Sequence, residues 1–146
     1  MQPGRRERDA GNAALELLIL APVILLLISL VIAAGRTSLA QGSVQAAARD
    51  AARQASIART LSAAMATAQA SAQAELAQEG LDCSPAPLVL IRAASAFDPR
   101  NIGQPATVRA TVICHVPLSD LLLPGVPGSK TLRANFTSPL DPFRGR

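Results

Sequence analysis

Glu16 is the residue whose type and place most call for an explanation. It stands at the entrance to residues 17–35, a run of 19 positions with no charged side chain. A carboxylate at the centre of a bilayer costs about 2.5–3.5 kcal/mol on insertion scales, and less toward a helix end. An acidic residue kept in such a place therefore points to a task. Cys83 and Cys114 are the other pair with chemistry to offer, as partners in a disulfide. Beyond these the chain is sparse. His115 is the single histidine, and alternation along its segment sets it opposite Cys114. A zinc site needs more ligands than Cys83, Cys114 and an outward His115 supply. Asp98, Asp120 and Asp141 are isolated, and one histidine supports no Ser-His-Asp or Cys-His arrangement. No catalytic residue, metal site or cofactor is expected, and the chain does not read as an enzyme.

The elements that must position Glu16 begin with the apolar run itself. Nineteen residues of helix cross the hydrocarbon layer of a membrane. Arg5, Arg6 and Arg8 precede the run, so the positive-inside rule puts the N-terminus in the cytoplasm and the remainder outside. An exported segment with two cysteines favours a structural Cys83–Cys114 disulfide. Closing that loop contributes about 3.5–4 kcal/mol by the chain-entropy argument.

Charge excludes one large class of partners. The pI is near 10.4, yet the 14 basic residues are scattered singly among only three aromatics. Nucleic acid is not expected as a partner, because no basic cluster is interleaved with rings on which bases could stack.

Residues 1–11 read as a polar, disordered leader. From Asn12 the pattern is helical as far as about residue 79, with Pro22 as a tolerated kink and Gly35 and Gly42 as points of bending. Residues 43–79 are rich in Ala, the strongest helix former. Ile57, Leu61 and Met65 recur every four residues, and Ala68, Ala72 and Leu76 extend the stripe. Arg49 and Arg53 share a face and read as solvated charges. Gly80 is the expected stop.

Nine of the 11 prolines lie beyond Gly80, where short strand patterns replace the helix. Val108, Ala110, Val112, Cys114 and Val116 alternate with more polar neighbours, as do Leu132, Ala134 and Phe136. Residues 88–91 read as a third strand, and residues 117–123 as a short helix capped by Ser119. The expected fold is α+β: a long N-terminal helix carrying a small C-terminal antiparallel sheet. Its organisation is a 1–11 leader, a 12–35 transmembrane helix, a 36–80 Ala-rich extracytoplasmic helix and an 81–146 β-rich domain.

Three stretches carry a family resemblance. They are GNAALELLILAPVILLLISLV from Gly11, QAAARDAARQAS from Gln45, and the pair ATVRATVICHVPL from Ala106 and LRANFTSPLDPFR from Leu132. Together they resemble the TadE-like proteins, minor pilin-like components of tight-adherence (Tad/Flp) pilus systems. The resemblance implies that a prepilin peptidase cuts between Gly11 and Asn12. It also implies that Glu16 serves subunit assembly by pairing with the freed amine of a neighbouring subunit. The implied partners are the cytoplasmic membrane, the peptidase, other pilin-like subunits and inner-membrane platform proteins of a Tad system.

Two other readings stay open at this stage. Residues 1–40 also fit a secretory signal, with Ser38-Leu39-Ala40 as the cleavage site before Gln41. The segment equally suits an uncleaved anchor for an extracytoplasmic binding module with no assembly role.

Overall fold

The computed structural model describes the backbone of residues 5–101, 104–121 and 127–140, and within these the side chains of all but 5–15, 94, 99 and 120. The expected C-terminal tail beyond residue 140 lies outside the described residues. Helix α1 runs Arg5–Ile57, 53 residues, or about 80 Å of continuous helix. The leader expected to be disordered to Gly11 therefore joins the helix from Arg5 onward. Gly35 and Gly42 do not break it either. A Cβ at either position would meet nothing within 4 Å, so neither glycine makes a close approach to another element.

The break comes later than expected. The anticipated single helix over residues 36–80 is two helices, α1 and α2 (Leu61–Gln78), folded back on one another. The cause is local. Thr60 takes an extended conformation (φ −129°, ψ 155°), and its hydroxyl accepts a hydrogen bond from Ala63 N. This cap starts a new helix rather than continuing the old one. The two helices run antiparallel, as Ser43 Oγ donating to Glu79 Oε2 at 3.4 Å shows. Gly80 stops α2 as the sequence indicates. Its φ of +66° permits Gly80 N to donate to Ala77 O and Leu81 N to Leu76 O, the Schellman pattern.

Three strands form one antiparallel sheet in the order β1 (Leu88–Arg92), β2 (Thr107–Pro117), β3 (Ser129–Pro139). β2 pairs with β3 along its full length, from Thr107 opposite Pro139 to Pro117 opposite Ser129. Val108, Ala110, Val112, Cys114 and Val116 are all buried on the face toward the helices, as alternation predicts. A short helix, α3 (Leu118–Leu121), follows β2 within the segment expected to hold one.

The core lies where α1 passes between α2 and the sheet. Its α1 side is Ala40, Val44, Ala47, Ala48, Ala51, Ala52 and Ala55. Alanines keep the helix slim enough for neighbours to pack on two sides. The α2 side is Ala64, Ala68, Ala72 and Leu76. This corrects the first part of the stripe read from the sequence: Ile57 is 72% exposed, Met65 52% and Leu61 38%, and the buried residue of that turn is Ala64. Ala68, Ala72 and Leu76 belong to the buried stripe in either reading.

β3 climbs alongside α1. Gln41 Nε2 donates to Arg133 O at 3.1 Å, the Arg49 guanidinium lies 6.0 Å from the Phe136 ring centre, and Ser138 Oγ donates to Ser56 Oγ at 3.3 Å. Successive contacts thus advance together along both elements. The Ser129 end of β3 consequently lies toward the apolar half of α1, and the Pro139 end away from it.

Candidate functional site: the exposed apolar helix

Below the packed unit, α1 continues without a partner. Leu17, Leu18, Ile19, Leu25, Leu26 and Val31 are each more than 60% exposed. Monomeric soluble proteins rarely show so large an apolar surface. A single helix with all its apolar sides bare suits a hydrocarbon surrounding, where its backbone bonds are already satisfied internally. Ser29 and Thr37 follow the same rule, each returning its hydroxyl to the carbonyl four residues back. Pro22 sits inside the helix without ending it.

Glu16 lies at the entrance to this bare stretch and is exposed. Gly11 and Asn12 are in the same helix, and their side chains lie outside the described ones. The helical rise sets Asn12 and Glu16 four residues apart, about 6 Å along the axis and roughly one turn. Their proximity is thus a property of the helix itself.

The second pair of singled-out residues is joined. Cys83 and Cys114 form a disulfide with their Cα atoms 5.2 Å apart. It ties the segment following α2 to the buried face of the central strand. His115 points the other way, its Nδ1 2.9 Å from the Thr131 hydroxyl. It shares no cluster with the cysteines. Among the described residues, no three His, Cys, Asp or Glu side chains converge to hold a metal ion. Arg49 and Arg53 are exposed, and Arg49 additionally contacts the Phe136 ring.

Two arrangements were not read from the sequence. Gln69 of α2 brackets β1, donating from Nε2 to Pro87 O at 2.7 Å and accepting from Val89 N at 3.2 Å. It occupies backbone groups of an edge strand that would otherwise be open to pairing. Asp50 of α1 meets Glu75 of α2, which also lies near Glu79 at the helix cap. Burial raises the Glu75 carboxyl above its ordinary value, with the charges of Asp50 and Glu79 and a hydrogen bond to Asp50 acting in the same direction. Both arrangements depend on the hairpin, and no local spacing announces them.

With this geometry in view, residues 11–53 match the family described as TadE-like protein. Over that stretch the chain is similar to the TadE-like family. The matched segment begins at Gly11, contains Glu16 and all of the bare apolar stretch, and ends within the part of α1 that packs against α2 and the sheet. No curated protein and no solved structure matches the chain. The match suggests a component of a Tad pilus. The long apolar helix is compatible with membrane anchoring.

Proposed function

We propose that this TadE-like chain is a single-pass minor pilin, or pseudopilin, of a Tad/Flp pilus system. Its N-terminus faces the cytoplasm and its packed unit lies outside the membrane. In this reading a prepilin peptidase cuts between Gly11 and Asn12. Gly11 lacks a side chain, which suits close approach of the protease to the backbone. Glu16, one turn from the new amine, then offers a carboxylate to the amine of a neighbouring subunit. Within the membrane such a pair is strong, and it offsets part of the cost of burying the charge. The bare helix supplies the rest of the docking surface.

The observation that carries this reading is the overlap of the family match with the bare apolar helix. The family match begins at Gly11, five residues before Glu16, and covers the whole of the described bare stretch. Release by signal peptidase after Ala40 fits less well. That cut falls within continuous helix, beside an Ala40 that belongs to the core and a Gln41 that bonds β3. An uncleaved anchor for a binding module keeps the same fold and differs only in the fate of residues 1–11.

Mass spectrometry of the N-terminus from native membranes tests the reading, on wild type and Gly11→Ala. A start at Asn12 that is lost in the variant supports it. A start at Gln41 makes the chain a secreted protein. An intact leader in both proteins leaves a plain anchor.

A further inference from the structure

We propose that the Ser129 end of the β2–β3 hairpin sits on the bilayer surface, with Lys130 binding the phosphates of lipid headgroups. This inference rests on the reading that α1 spans the membrane, and it adds a second, peripheral contact made by the packed unit.

The level of the hairpin follows from two rulers. The uncharged run of α1 ends at Gly35, and its 19 residues give about 28 Å, close to the thickness of the hydrocarbon layer. The outer border of that layer therefore falls near Gly35. β3 provides the second ruler, because it runs alongside α1 and Ser138 meets Ser56. Eight residues of strand separate position 138 from Lys130, about 26 Å. The same descent along α1 from Ser56 takes about 17 or 18 residues and arrives near position 38. Lys130 thus stands about 5 Å beyond the hydrocarbon border, within the headgroup layer.

The side-chain surroundings agree with this level. Lys130 is exposed and shares a hollow with Leu30, Ala33, Thr37 and Gln41. Leu30 and Ala33 are still within the uncharged run. A cation beside them in a membrane directs its long stem along the apolar wall and its ammonium outward to the phosphates. Among the described residues, no acidic side chain lines this hollow to compete for it. Arg36, in contrast, lines a different hollow on α1 that also contains Glu79 and Asp82. Lipid phosphate is the anion of matching charge at the level where Lys130 stands.

The absence of Trp and Tyr from the chain makes a direct test possible. Single tryptophans are placed at Leu25, Ser129 and Asn135 of the full chain. Each variant is reconstituted in vesicles containing phosphatidylglycerol, with quenchers in the acyl chains or on the headgroups. Asn135 is about 20 Å farther along β3 than Ser129. Acyl-chain bromine should quench Leu25→Trp. Headgroup nitroxide should quench Ser129→Trp at least about twofold more than Asn135→Trp, because such quenching acts over a distance shorter than their separation. Equal, weak headgroup quenching at 129 and 135, with Leu25→Trp quenched, overturns the surface contact and leaves the span intact. Leu25→Trp untouched by bromine overturns the span and the contact together.

Lys130→Gln in the Ser129→Trp background isolates the phosphate contact. Raising the salt should weaken headgroup quenching in the parent, since screening shortens the reach of the attraction. In the glutamine variant the quenching should be weaker from the start and indifferent to salt. Identical salt dependence in the two proteins overturns the role of Lys130.

Discussion

Truncating Leu76 and Met65 to alanine sets the tertiary structure against the stripe of large apolar residues seen in the sequence. Both lie on α2, and both changes end in alanine, so helix propensity shifts by similarly small amounts in each. Their surroundings differ: Leu76 is 2% exposed and packs in the core, whereas Met65 is 52% exposed. Leu76→Ala removes three buried carbons, worth about 2.4 kcal/mol at 0.8 kcal/mol each. A partly collapsed cavity brings the expected loss to about 3 kcal/mol. Met65→Ala should cost less than about 1 kcal/mol, because much of its surface is already outside the core. Denaturant unfolding of the full chain in detergent micelles, followed by far-ultraviolet circular dichroism, measures both. A Met65→Ala loss equal to or larger than that of Leu76→Ala would refute the packing of α2 described above.

Three further outcomes are expected. Replacing both Cys83 and Cys114 with alanine should lower stability by about 3.5–4 kcal/mol, from the 31-residue separation they close, as read by the shift in denaturation midpoint. Gln69→Leu leaves Pro87 O and Val89 N without their side-chain partner. It should cost about 1–3 kcal/mol in the same assay and speed hydrogen exchange at Val89 more than in β2. Glu75 binds its proton more tightly in the folded chain than in the unfolded one. The folded state therefore holds more protons just above the ordinary glutamate range, and stability should fall as pH rises through it. Glu75→Gln should flatten that fall and raise the midpoint at neutral pH, and an unchanged pH profile would show that Glu75 does not control it.

How much of this protein is legible along the chain varies by element, for identifiable reasons. A period of two is a local property, and it sufficed to find β2 and β3 and to assign Val108, Ala110, Val112, Cys114 and Val116 to the buried face. Gly80 was equally readable, because a left-handed residue after a helix is a requirement of the backbone alone. The uncharged run and the isolation of Glu16 are likewise properties of the string of residues, as is the spacing of Gly11 to Glu16 that resembles the TadE-like pattern.

Tertiary structure decided where the long helix divides and which face of α2 is inside. Alanine is a strong helix former on either side of residue 58, so propensity offered no boundary there, and the Thr60 cap is a weak signal by itself. Burial on α2 began at Ala64, in line with Ala68, Ala72 and Leu76, where the helix packs against α1. Size favoured Ile57 and Met65 in the sequence, and space excluded them in the fold. The bracket formed by Gln69, the acidic meeting of Asp50 with Glu75, and the level of Lys130 beside Leu30 all join residues distant in sequence. Such meetings exist only once the hairpin has closed and β3 has taken its place along α1.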